Sequence, residues 1–160
     1  MTTILFLAIS MAVFAPYNPY RKETTDQVRE MLLIEQEREQ RIENLLKTLR
    51  IVESSERYHV CGGSGEYGAY QFMPGTWAIY SYMFFGELLD IKIPENQDKV
   101  ARLKIQRFVN KGYSDVDIAA LWNSGTKDNW ETRIGVNSAG VAYSVPAYIE
   151  KFINILRQQT

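Results

Sequence analysis

With 160 residues, 46% of them hydrophobic and 12% aromatic, the chain can bury a core of its own, enough for one compact domain and an appendage. A formal net charge of -1 leaves no electrostatic footprint for nucleic acid. A single cysteine, Cys61, excludes an intramolecular disulfide, and a single histidine, His59, leaves a Cys/His zinc cluster short of ligands. A Cys–His nucleophile pair so close in sequence would be geometrically odd, so Cys61 reads as a packed or loop thiol.

The first twenty residues carry no charged side chain, and residues 4–15 (ILFLAISMAVFA) are apolar apart from Ser10. That run suits a signal-peptide core better than a membrane span, which needs ~20 apolar residues. Val13-Phe14-Ala15 is similar to a small-residue cleavage site. No Lys or Arg precedes the run, however, and Arg21-Lys22 follow it, the reverse of normal export polarity. Three readings stay open: a signal or anchor, an uncleaved membrane helix of unusual orientation, or a packing segment in a larger assembly. Two of them imply membrane contact through residues 4–15.

Pro16 and Pro19 break the run. From Thr24 to Val52, a sequence rich in Glu, Gln, Arg and Leu predicts one long helix, capped by Thr24 or Thr25 with Asp26 in its first turn. Residues 35–41 (EQEREQR) are polar all round, a solvated helix or a short coiled coil with Glu35 and Arg38 in its seam. Ile42, Leu45, Leu46, Leu49 and Val52 then form an apolar stripe at spacings of three and four. The expected organisation is an apolar segment over residues 1–20, a helical stalk over 21–45 and a folded domain over 46–160.

After Glu53 the composition changes. Residues 58–72 (YHVCGGSGEYGAYQF) mix glycines with aromatic and β-prone residues, which predicts a short hairpin or irregular β segment. Pro74-Gly75 makes a turn, with Thr76 positioned to cap a helix from Trp77. A helix is expected over 97–111, ended by Gly112. Ser114-x-x-Asp117 has the form of a capping box for a short helix through Trp122, stopped at Gly125. Residues 126–142 read as a polar loop. Ser144 and Pro146 open a last helix, with Tyr148, Ile149, Phe152, Ile153 and Leu156 on one face. The fold class is α+β, mostly helical, with a small β segment after the first core helix.

Glu53 is the residue most suited to chemistry. It lies at the edge of the apolar stripe and in the last helical turn, where desolvation and the negative end of the helix dipole both disfavour its charged form. An acid kept protonated near neutral pH can protonate a glycosidic oxygen. Position alone also suits an ordinary surface Glu ending a helix.

The company of Glu53 is more specific. Val52-Glu53-Ser54-Ser55 is followed by Gly68-Ala69-Tyr70-Gln71-Phe72-Met73-Pro74-Gly75, then Ala119-Ala120-Leu121-Trp122-Asn123-Ser124-Gly125, then Tyr148-Ile149. In order and spacing these segments resemble the four motifs of soluble-type lytic transglycosylases: a Glu-Ser, a Gly-Leu-Met-Gln-like turn ending in Met-Pro, an Ala-Ala-Tyr-Asn-Ala-Gly-like segment and a late Tyr-Val. The resemblance spans residues 50–157, about two thirds of the chain. Tyr70 stands where the family usually has Met, and Trp122 where it usually has Tyr; both still offer rings for stacking on sugar faces.

The resemblance implies a lysozyme-like domain that cleaves the β-1,4 bond between N-acetylmuramic acid and N-acetylglucosamine in peptidoglycan glycan strands, with no metal or organic cofactor. Glu53 would protonate the leaving oxygen and then act as base. Ser54 would set its surroundings, Gln71 and Met73 would line the sugar groove, Asn123 would hydrogen-bond substrate and Tyr148 would orient Glu53. Classical glycosidases need a second carboxylate. Of Glu56 and Glu66, the carboxylates between Glu53 and Glu87, Glu66 in the glycine-rich segment is the better candidate for the groove. A transglycosylase needs no partner, because the muramic 6-hydroxyl replaces water and yields a 1,6-anhydro product. A muramidase on the same fold and a catalytically idle wall-binding or virion structural module are the alternatives. The resemblance implies a cell-envelope, secreted or virion-associated location, of bacterial or phage origin.

Overall fold

The computed structural model describes residues 19–137 and 140–159, with side chains from residue 24; the readings for residues 1–18 lie outside them. Two compact units divide the chain, one ending at Arg38 and one running from Glu39 to the C-terminus. Helix α1 spans Pro19–Ser54. It begins at a proline, whose fixed φ and missing N–H suit a first helical turn. Thr24 and Thr25 therefore lie inside the helix, and Asp26 falls beyond its first turn, contrary to the expected capping. No helix among the described residues is long and apolar enough to cross a membrane.

In the first unit, Val28, Met31, Leu32, Leu33 and Ile34 are exposed. In the second, Ile42, Leu45 and Leu49 have no solvent exposure, and Leu46 and Val52 are buried beside them. The folded domain thus starts at Glu39 and takes in residues expected to belong to the stalk. Ion pairs from Arg41 to Asp115 (2.7 Å) and from Arg102 to Glu39 (3.0 Å) and to Glu43 fasten this part of α1 to its neighbours.

Three shorter helices follow: α2 (Pro74–Phe85), α3 (Pro94–Asn110) and α4 (Asp115–Ser124). Prolines open the first two. Thr76 therefore lies within α2, whose N-cap is Met73 with no side-chain bond, and the expected start at Trp77 is three residues late. Helix α3 buries Gln97, Val100, Ala101, Lys104, Ile105 and Phe108, one stripe at helical spacing. Ser114 and Asp117 close a reciprocal capping box on α4, and Gly125 at φ 75° ends it. Both signals were legible in the sequence.

The β structure lies only partly where expected. Residues 58–72 form turns with isolated bridges, Cys61 to Tyr67 and Tyr67 to Phe72. The two-stranded antiparallel sheet, β1 (Ile134–Val136) with β2 (Ala142–Ser144), lies in the stretch read as a polar loop and the two residues after it, preceded by a 3-10 turn at Trp130–Thr132. Three-residue strands are too short to leave a period-two pattern, which is why the sequence hid them. Helix α5 (Val145–Leu156) begins at Ser144, whose hydroxyl accepts from the Ala147 N–H, and it buries Val145, Ile149, Phe152 and Leu156. The fold is α+β and mostly helical.

Candidate functional site

A cleft of about 300 Å³ opens at the C-terminal end of α1, lined by residues of α1, the 62–73 segment, α2, α3, α4 and the β1–β2 loop. Glu53 reaches it from the last turn of α1. Beyond Glu53 the chain turns sharply: Ser55 and Glu56 take positive φ values of 54° and 62°. Ser54, buried, ties this turn down. Its hydroxyl donates to the Ala69 carbonyl at 3.0 Å and accepts the Arg57 N–H at 2.9 Å. Ser54 does not line the cleft; it joins the end of α1 to the segment that forms the floor.

From α5, ninety-five residues along the chain, the Tyr148 hydroxyl donates to Glu53 Oε1 at 2.6 Å. Lys151, one turn on, donates to the Val52 carbonyl at 3.0 Å. Burial drives the Glu53 carboxyl up from its ordinary 4.5 to about 7. The Tyr148 bond and the charges of Lys104 and Lys151 oppose that rise, and the Glu66 charge adds to it. The same burial and the neighbouring carboxylate hold the Tyr148 hydroxyl well above its usual range, so it stays a donor.

The glycine-rich segment forms one wall. Glu66 lines the cleft, and its carboxylate accepts the Ser64 N–H at 2.9 Å. The space a side chain at Gly62 would fill is taken by the Glu66 carboxylate and the Gln71 amide, so only glycine lets both pack there. Gln71, at φ 48°, donates its amide to the Gly68 carbonyl at 2.7 Å and to the Val60 carbonyl at 3.3 Å. Met73 is exposed on the rim. Behind this wall, buried Gln97 accepts the Ala69 N–H at 2.8 Å and donates to the carbonyls of Tyr58 (3.0 Å) and Ile91 (2.7 Å).

Tyr70, Phe72, Trp77 and Trp122 interlock beneath the cleft, with Phe72 at 5.3 Å from both tryptophan rings. Tyr70 has no exposed area, and its hydroxyl donates to Asp98 at 2.8 Å and accepts from Arg50 at 2.8 Å. It supports the floor and offers no open face to a sugar. Trp122 is half-buried and Asn123 is exposed beside it; both line the cleft.

Of the residues picked from sequence, Glu53, Glu66, Tyr70, Gln71, Met73, Trp122 and Asn123 share the cleft, Tyr148 reaches it through Glu53, and Ser54 stands behind it. Sequence reading missed Lys104 on α3, Thr76 on α2 and Val141 of the hairpin loop, which also line it. For Lys104 a signal existed: it falls in the buried stripe 97-100-101-104-105-108, where a lysine is out of place. Cys61 is an exposed free thiol and His59 is exposed; among the described residues no cluster of His, Cys, Asp and Glu could hold a metal ion. No protein-family model, curated protein or solved structure matches the chain.

Proposed function

We propose that this chain is a peptidoglycan lytic transglycosylase of lysozyme-like fold, cleaving the β-1,4 bond on the reducing side of N-acetylmuramic acid with Glu53 as acid and then base. One observation carries the reading: a carboxyl raised to about 7 by burial, lining an open cleft and held by the Tyr148 hydroxyl at 2.6 Å. Such a group is protonated in a large fraction of molecules at neutral pH, and general acid catalysis is most effective when the pKa lies near the working pH. With Tyr148 bonded to Oε1, Oε2 is left to carry the proton to the glycosidic oxygen. The aromatic floor and polar rim suit a sugar chain, which presents apolar ring faces and hydroxyl edges. The four-motif resemblance supplies the substrate class.

After proton transfer the Glu53 carboxylate takes the proton of the muramic 6-hydroxyl as that oxygen closes on C1, so that no water is consumed. An internal nucleophile held by its own ring competes well with solvent through proximity. A hydrolase is the second reading, favoured by one observation: Glu66 lines the same cleft and is a candidate second carboxylate. Digestion of purified peptidoglycan, followed by mass spectrometry and a reducing-end assay, tests the proposal. Fragments lighter than hydrolysis products by one water, without reducing ends, are expected. Reducing ends throughout would make the enzyme a muramidase, with Glu66 the first residue to replace; no fragments at all would leave a non-cleaving wall-binding module.

A further inference from the structure

Among the described residues, Lys104 is the one cationic side chain that lines the cleft, which the acids Glu53 and Glu66 line as well. It is buried, at 5% exposure. Its ammonium nitrogen lies 3.9 Å from the centre of the Trp122 ring and between 5.0 and 5.9 Å from those of Tyr80, Phe72 and Phe108. Among the described residues it has neither a hydrogen-bond acceptor nor an ion-pair partner; Glu53 and Glu66 are no exception. An ammonium carries three donors and is strongly hydrated, and ring faces replace only part of that hydration. Burial lowers its pKa to about 8, which still leaves it mostly charged at neutral pH. The cleft therefore holds a cation whose donors lack a protein oxygen.

We propose that Lys104 is a specificity-determining residue that binds the free lactyl carboxylate of a muramic acid unit, a contact that a neutral chitin strand cannot make. The inference rests on the reading of the cleft as a muramyl-glycan site and deepens it. An anionic sugar entering beside the acids Glu53 and Glu66 needs a cation at hand, and Lys104 is the cationic side chain among the cleft's described lining residues. A carboxylate supplies charge-assisted acceptors that ring faces lack. In an intact wall the lactyl group is amide-linked to a peptide and carries no charge. The reaction that supplies the preferred substrate is therefore hydrolysis of that amide, which consumes a water and leaves the carboxylate on the sugar.

The test measures binding to full-length Glu53→Gln protein, which cannot turn substrate over, by calorimetry with three disaccharides. They are N-acetylglucosaminyl-N-acetylmuramic acid, the same sugar with its lactyl group as the carboxamide, and chitobiose. The acid should bind about tenfold or more tightly than the carboxamide and chitobiose, as expected for loss of a charge-assisted bond. Adding Lys104→Met should remove that preference while leaving chitobiose affinity within about twofold, since chitobiose has no carboxylate to bond Lys104. Equal binding of acid and carboxamide by the Lys104 protein overturns the inference while the glycan reading stands, and this arm needs no second substitution to fold. Equal loss for acid and chitobiose in the Met variant also overturns it and makes Lys104 a support for Trp122. Failure of all three sugars to bind overturns the glycan reading and this inference together.

Discussion

The burial that suits Glu53 to the proposed acid role also costs stability. Its carboxyl titrates at about 7 in the fold against an ordinary 4.5. Between those values the folded chain keeps the proton that the unfolded chain has released, so stability falls as pH rises from 4.5 to 7 and the loss is complete above 7. The full difference is about 3 kcal/mol. Glu53→Gln does not titrate and retains an acceptor for Tyr148. It should unfold with nearly the parent free energy at pH 4, and with up to about 3 kcal/mol more at pH 8, in urea titrations followed by circular dichroism. The same variant should lose ~100-fold or more in wall cleavage, the usual size of a general-acid contribution. An active Gln variant would remove Glu53 from the mechanism. Tyr148→Phe makes a different prediction, because its hydroxyl holds the acid and lowers its pKa. Turnover should drop about tenfold, and the alkaline limb of the pH–rate profile should move up. A slower enzyme with an unmoved limb would make Tyr148 a packing residue only. The Glu53–Tyr148 pairing was legible only through motif order, since nothing local links residues so far apart in the chain. Trp122 was picked for its ring; its ammonium neighbour showed in the sequence only as a lysine inside the buried stripe of α3, with nothing to say which ring it would meet.

The helices were easier to read than their ends. Apolar spacing marked α1 and α5, and the Ser114–Asp117 box fixed the start of α4 because its chemistry is local. Pro74 and Pro94 displaced the expected starts of α2 and α3, since a proline at the first helical position needs no side-chain cap. The glycine-rich wall was legible as irregular, but not what holds it. That role belongs to Gln97, a fully buried amide on α3 that serves the backbone at Ala69, Tyr58 and Ile91. A sequence gives no hint that a glutamine will be satisfied by three distant peptide groups. Gln97→Leu keeps the volume and strands all three, each at about 1–3 kcal/mol where water cannot reach. The expected loss is about 3 kcal/mol or more of unfolding free energy, against less than ~0.5 kcal/mol for an exposed control such as Lys99→Leu. Hydrogen exchange should report the loss first at the Ala69 amide. A Leu variant as stable as the control would show that water or relaxation satisfies these groups.

At the scale of the molecule, the division at Arg38 predicts what can be removed. Every residue of the described hydrophobic core lies at or beyond Ile42, and every residue of the cleft lies at or beyond Glu53. The ion pairs of Arg41 with Asp115 and of Arg102 with Glu39 and Glu43 lie wholly within the second unit, so a cut before Glu39 severs none of them. The cut also leaves Glu39 in the new first turn of α1, where a carboxylate stabilises the exposed N–H groups by about 0.3–1 kcal/mol and offsets part of the fraying. It discards exposed Val28, Met31, Leu32, Leu33 and Ile34, a run of apolar surface that favours association. A fragment covering 39–160 should therefore fold cooperatively, unfold within ~1 kcal/mol of the full chain and retain the Glu53-dependent cleavage of isolated cell walls. It should also stay monomeric to higher concentration in sedimentation experiments. A fragment that unfolds early but still cleaves would assign stability, not chemistry, to the residues before Glu39. A well-folded fragment that no longer cleaves would mean that those residues bring the cleft to the cell wall, because Glu53, the tyrosine that holds it and the aromatic floor all remain.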